Sequence, residues 1–283
     1  MAEQEGTLPF TGKLGDTVGY RRGSKYFKRA KPASYQPTAE SQKSGAEFGA
    51  GSKATALLKS AFSPLILRSF KFTLHNRLAG KLRQIIRTGP VANKGQRAVF
   101  DGNLSLLKGF QLHPRVGFFN LCAVNFSSQI TASQIHLRIP AFSWTNSIKA
   151  PKTADRVKIG LCCVFADFNA GSDGAGNFES INVDHLTVEK DQNFPGASFS
   201  LDIPVKQELA VLLVMNVFFE ADSSGKSMIV DNQNFQAGLI LDVAHLKDGA
   251  LVEFVAEKPS EKPEKPAFKP DAFWKLDGSG GSP

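Results

Sequence analysis

The chain has 283 residues, 42% hydrophobic and 21% charged, with 34 Lys+Arg against 26 Asp+Glu and a formal net charge of +8. This composition excludes a wholly disordered chain, a collagen-like fibre and a disulfide-dense miniprotein, and it supplies enough apolar residue for a real core. Three cysteines, Cys122, Cys162 and Cys163, are too sparse and odd in number for a disulfide framework and fit a reducing compartment.

The opening Met-Ala-Glu-Gln-Glu-Gly has neither the basic start nor the apolar run of a secretory signal. No stretch approaches the roughly 18 apolar residues that cross a bilayer. The expected location is therefore the cytoplasm or an assembled particle. Charge is uneven along the chain: residues 1–100 hold 18 Lys+Arg and 5 Asp+Glu, leaving 16 and 21 for residues 101–283, balances of +13 and −5. A basic first third suits a polyanion, or the acidic part of a neighbouring copy.

Residues 1–37 read as an extended basic arm. Thr11–Tyr20 carries three glycines and no helical period, and Gly23-Ser24 between two aromatic runs predicts a hairpin turn. Arg21, Arg22, Lys25, Lys28, Arg29 and Lys31 interleave with Tyr20, Tyr26 and Tyr35, the three tyrosines of the protein. Arginine and lysine neutralise phosphates, and tyrosine stacks on bases or fills protein pockets. These nine residues are the candidate contacts to a partner or to nucleic acid.

At this arm the sequence resembles an uncharacterised bacterial family with no assigned activity, whose members begin with Gly-Lys-x-Gly-x-x-Val-x-Tyr and continue into a basic Gly-Lys-x-Tyr-x-Arg-like run. The matching residues are Gly12, Lys13, Gly15, Val18 and Tyr20, then Gly23, Lys25, Tyr26 and Arg29, with Ser24 inserted between Gly23 and Lys25. The resemblance covers roughly the first 70 residues, includes Pro37 and the polar helix after it, and implies no catalytic residues. The layout of basic arm plus β domain also resembles small viral coat proteins, as a fold-level analogy.

Residues 38–96 predict the helical part. Thr38 is the N-cap, with Glu40 in the first turn. Ala50, Ala54, Leu58 and Phe62 recur at steps of four, and Pro64 breaks or restarts the helix. Ile66, Phe70, Leu74, Leu78, Leu82 and Ile86 then form an apolar stripe flanked by basic residues, ended by Gly89-Pro90. Such a stripe is expected to pack on the protein's own β domain.

From 97 to 256 the period is two. Ile135, Leu137 and Ile139 alternate, as do Val157, Ile159, Leu161, Cys163 and Phe165. Further strands are expected at 186–190, 198–203, 208–220, 227–230, 237–243 and 251–255. Seven or more strands with turn clusters and no intervening helix predict an α+β, mainly β fold, an antiparallel β-sandwich or jelly roll. Residues 257–283 form a separate Pro/Lys-rich tail. Lys-Pro recurs at 258, 262, 265 and 269, favouring extended chain, and Phe268, Phe273 and Trp274 are its expected anchors to a surface.

Catalytic and metal signals are weak. The five histidines stand singly, Cys162 and Cys163 point to opposite faces of one strand, and neither a nucleophile elbow nor a phosphate loop occurs. Asp167 to Asp173 resembles the start of a calcium loop but has Gly171 and Phe178 at ligand positions. No catalytic residue, metal or cofactor is expected. The sequence points to a non-enzymatic, coat-like structural subunit that self-assembles into a filament, tube or shell, its arm and tail packing on neighbouring copies as a homo-oligomer. DNA or RNA binding through the arm is the alternative, and a carbohydrate- or ligand-binding module the second alternative.

Overall fold

The computed structural model describes residues 2–3, 10–31, 36–65, 71–169, 176–230 and 234–256. The chain forms two compact units, Met1–Gly45 and Ala46–Pro283.

In the first unit, β1 (Ala2–Glu3), β2 (Gly12–Leu14), β3 (Thr17–Arg22) and β4 (Lys25–Ala30) form one antiparallel sheet in the order β1-β4-β3-β2. The arm therefore folds back on itself instead of running as a single extended strand. Its two tight turns use Gly15 and Gly23 at φ +55° and +65°, a region where a side chain strains the backbone. The first helix, α1 (Ala39–Ala61), starts where the sequence predicts. Ser41 donates its N–H to Thr38 Oγ1 at 3.2 Å, and Gln42 donates to the Thr38 carbonyl at 2.9 Å.

In the second unit, α1 ends before a short 3₁₀ turn at Ser63–Leu65, and α2 covers Lys71–Thr88. Then follow α3 (Phe118–Leu121), β5 (Ser127–Ile130), β6 (Gln134–Ile139), β7 (Phe142–Ser143), α4 (Trp144–Ser147), β8 (Arg156–Asp167) and β9 (Asn177–Glu189). The remaining strands are β10 (Asn193–Phe194), β11 (Ala197–Asp202), β12 (Glu208–Ser223), β13 (Lys226–Ile229), β14 (Ala237–Lys247) and β15 (Ala250–Leu251). The fold is α+β and mainly β, with antiparallel sheets. The largest sheet runs β15-β14-β12-β8-β9, with β13 paired to the end of β12. A three-stranded sheet runs β11-β6-β5, and β10 pairs β7.

Alternation along β8 and β12 divides the interior in two. Val157, Ile159, Leu161, Cys163 and Phe165, with the odd-numbered residues of β12 from Leu209 to Phe219, share one hydrophobic cluster with Ile135, Leu137 and Ile139 of β6. Cys162, Val164 and Ala166, with Ala210, Leu212 and Val214, share the other with Leu58 and Phe62 and with Leu74, Leu78, Leu82 and Ile86 of α2. The apolar stripe of α2 thus packs on its own β domain, as its spacing predicts; Ile66 and Phe70 of that stripe lie outside the described residues. A strand buried on both faces shows a near-continuous apolar run, which is how β12 reads.

Residues 97–126 differ from the period-two expectation: they hold turns, a 3₁₀ segment at Leu104–Leu107 and α3, with no strand of their own. Glycines and Pro114 break this stretch, and its backbone is satisfied against β14, where Gly109 donates to Ile240 and Leu112 to Gly238 at 2.8 and 2.7 Å. Two four-residue helices, α3 and α4, also interrupt the helix-free run expected there. A buried ion pair ties α1 to the loop after α2. Arg97 Nε and Nη2 donate to the Glu47 carboxylate at 2.7 and 3.0 Å, and Arg97 Nη1 donates to the Arg87 and Gly89 carbonyls.

Candidate interaction surface

The candidate partner-binding residues of the arm are sorted by strand register into two faces. Tyr20 lies opposite Phe27, Val18 opposite both Lys13 and Arg29, and Arg22 opposite Lys25, which puts all seven on one face. Arg21 lies opposite Tyr26 and Lys28 opposite Gly19, which puts Arg21, Tyr26 and Lys28 on the other. On the first face the Tyr20 and Phe27 rings stack with centroids 5.8 Å apart, and the Arg29 guanidinium lies 5.8 Å from the Tyr20 centroid. Both rings are half-buried, while Lys13, Arg22, Lys25 and Arg29 are exposed around them. Lys25 pairs with Glu3 at 3.2 Å, both partners being solvated. On the second face Arg21 lies 5.7 Å from the Tyr26 centroid. Gly19 is buried beneath Phe10, where a Cβ would stand 2.4 Å from the Phe10 carbonyl oxygen.

The first face is an aromatic pair with Lys13, Arg22, Lys25 and Arg29 around it, and with Glu3, opposite Phe27 in the register, paired to Lys25. Phe27 and Lys13 are not among the nine candidate contacts named from the sequence, although the Gly23-Ser24 turn carries the signal for Phe27: a hairpin closed there sets Tyr20 opposite Phe27. Lys31 is exposed and donates its backbone N–H to the Asp16 carbonyl at 2.7 Å. Tyr35 lies outside the described residues, as do Phe268, Phe273 and Trp274 of the tail.

The charge asymmetry seen at residue 100 does not follow the structural units. Residues 1–45 hold 8 Lys+Arg and 4 Asp+Glu, leaving 26 and 22 for residues 46–283, a balance of +4 in each. The basic residues of α2 belong to the unit that holds the acidic strands. Many of its carboxylates already serve internal pairs: Arg156 bonds Asp222 at 2.6 Å and Glu189 at 3.1 Å, and Lys108 bonds Asp242 at 2.8 Å. Bulk charge therefore does not set an acidic body against a basic arm.

The other sequence signals resolve locally. Cys162 and Cys163 fall into opposite hydrophobic clusters, and burial pushes both thiols, and that of Cys122, up to about 12. Burial, helped by the Arg77 guanidinium, pulls His113 down to about 4. The Asp167 carboxylate accepts the Asn169 N–H at 2.9 Å, a loop contact; Asp173 lies outside the described residues. No group of three or more His, Cys, Asp or Glu that could hold a metal occurs among the described residues.

A groove that no sequence motif announces lies in the second unit. Its volume is about 650 Å³, and it is walled by Pro90 and residues 100–105 on one side and by residues 242–245 and 251–255 on the other. His245 stacks on Phe100 with centroids 4.9 Å apart, and its Nε2 stands 3.1 Å from Glu208 Oε1. Burial lowers the His245 pKa, and the Glu208 carboxylate opposes that shift without cancelling it. No family model, curated protein or solved structure matches this chain.

Proposed function

We propose that the chain is a non-enzymatic structural subunit of a self-assembling filament, tube or shell, with its N-terminal hairpin sheet and C-terminal tail packing on neighbouring copies. The observation that carries this reading is the hairpin sheet itself. It belongs to a separate compact unit whose strands are two to six residues long, and the rings of its aromatic face are half-buried. Small sheets of this kind gain stability when another surface covers them. The resemblance to the uncharacterised bacterial family belongs to the same proposal, since its motif glycines Gly15 and Gly23 make the turns and its motif tyrosines supply the rings. A second support is β9, the 13-residue outer strand of the large sheet, which pairs only with β8 among the described residues. An open strand edge is a template for pairing with another chain.

The partner is a second copy of the chain. Because each unit is net positive, ring burial and local carboxylates, rather than bulk charge, drive the contact. The alternative, DNA or RNA on the hairpin, is favoured by the four exposed cations around the Tyr20–Phe27 stack. It predicts a slope of about −4 for log affinity against log salt. No helix among the described residues is long and apolar enough to cross a membrane.

The test is negative-stain electron microscopy of native material, with absorbance at 260 and 280 nm. Ordered particles with a protein-like ratio, lost in a Y20A/R22E/R29E variant, are the expected result. A chain that stays monomeric at high concentration and low salt overturns the proposal, and particles rich in 260 nm absorbance establish the nucleoprotein alternative.

A further inference from the structure

We infer that the groove between residues 100–105 and 251–255 receives the aromatic segment 268–274 from the tail of a neighbouring copy. This inference rests on the assembly reading above and names the receptor for the tail. Three observations carry it.

The first is unspent apolar surface. Leu251, Val252 and Val255, on one wall of the groove, are 47%, 39% and 84% exposed. The groove volume lies within the range of about 300–1,000 Å³ typical of clefts that bury a ligand, and aromatic side chains are the usual anchors of such sites. The second is local charge. Asp101, Asp242 and Glu253 line the groove and no lysine or arginine does, with Asp242 already paired to Lys108. On the tail Lys269 directly follows Phe268 and Lys275 directly follows Trp274, while Glu264, Asp271 and Asp277 stand two or more residues from any of the three aromatics.

The third is where the described chain stops. It ends at Ala256, directly after Val255, so the tail departs from the rim of the groove itself. Eleven residues, 257–267, separate that rim from Phe268, and they contain Pro259, Pro263 and Pro266 with no glycine or asparagine to reverse the chain. Sequence of that kind favours an extended run of about 3.1 Å per residue, roughly 35 Å, which carries Phe268 away from its own groove and towards that of a neighbour. A head-to-tail contact of this geometry is heterologous and propagates into rings or open helices.

Tryptophan quenching on the full chain tests the inference. The protein has two tryptophans, and Trp144 is only 6% exposed, so the signal open to an aqueous quencher reports Trp274; a W274F variant gives the Trp144 background. At assembling concentrations Trp274 is shielded and its emission blue-shifted, and dilution below the assembly range abolishes both. A V252D/V255D variant, altered only at exposed and half-exposed positions, keeps the wild-type melting temperature and loses the shielding at every concentration. Three results overturn the inference: Trp274 open to quencher in intact particles, shielding unchanged in V252D/V255D, or shielding that persists on dilution, which places the segment in the groove of its own chain. In each case the presence of ordered particles keeps the assembly reading intact, whereas a chain that forms none removes both.

Discussion

Replacing Glu47 with alanine strips a buried guanidinium of its counter-ion. The side chains of Glu47 and Arg97 are 10% and 8% exposed, and the carboxylate also accepts the Gly95 N–H at 2.9 Å. In the variant, Arg97 keeps only the Arg87 and Gly89 carbonyls, and removing one partner of such a pair costs about 3–5 kcal/mol. For a unit of this size each kcal/mol moves the melting temperature by about 2–4 °C, so the expected fall is about 6–20 °C. Calorimetry or urea unfolding reads it directly, and a double-mutant cycle with R97M should return a coupling of about 2 kcal/mol or more. The pair also has a pH signature. Hydrogen bonds from Arg97, with the Gly95 N–H and nearby positive charge, hold the Glu47 pKa below the ordinary glutamate value against the opposing effect of burial. Its contribution is therefore complete above the ordinary glutamate pKa and is lost as pH falls through the depressed one. A loss under about 1 kcal/mol in E47A, or a cycle with no coupling, refutes the claim that this pair ties α1 to the loop after α2.

Gly102 sits where a Cβ would stand 2.0 Å from the Ile85 carbonyl oxygen of α2, a backbone atom with little freedom to yield, so G102A should cost about 3 kcal/mol in unfolding free energy. Phe62 is fully buried in the cluster shared by α1, α2 and the large sheet, and F62A should cost about 3–5 kcal/mol by the same assay. His113 is neutral in the folded chain down to about pH 4, whereas the unfolded chain protonates it near 6.5; stability should therefore fall between pH 6.5 and 4 by up to about 3 kcal/mol, less steeply in an H113L variant. With all three thiols buried and raised to about 12, a thiol reagent should label the native chain only as fast as it unfolds; rapid native labelling refutes the buried placement.

Local chemistry determined much of this protein from its sequence. Thr38 caps α1 because its hydroxyl is three residues from an orphan N–H, Pro64 lies in the 3₁₀ turn after the end of α1, and Gly23 turns the hairpin because its φ is positive. Alternation placed the inward residues of β6 and β8, and the step-of-four stripe placed α2 against the sheet. What the sequence did not determine are the features whose partners are distant along the chain. The β9 strand extends nine residues N-terminal of the expected 186–190 run, where β8 supplies its ladder. Glu47 and Arg97 are 50 residues apart, and nothing near either signals the other. The groove joins residues 100–105 to residues 242–245 and 251–255, distant along the chain and held together by the pairing of the 109–112 segment with β14 and by the Lys108–Asp242 ion pair. The charge division made the same point in reverse: residues sorted by position gave a basic third and an acidic remainder, while packing of α2 on the sheet puts the helix cations into the same unit as the acidic strands. Sequence fixes the conformation of a turn or cap because its energy is local, and tertiary structure decides which surfaces remain uncovered, because burial depends on every other element at once.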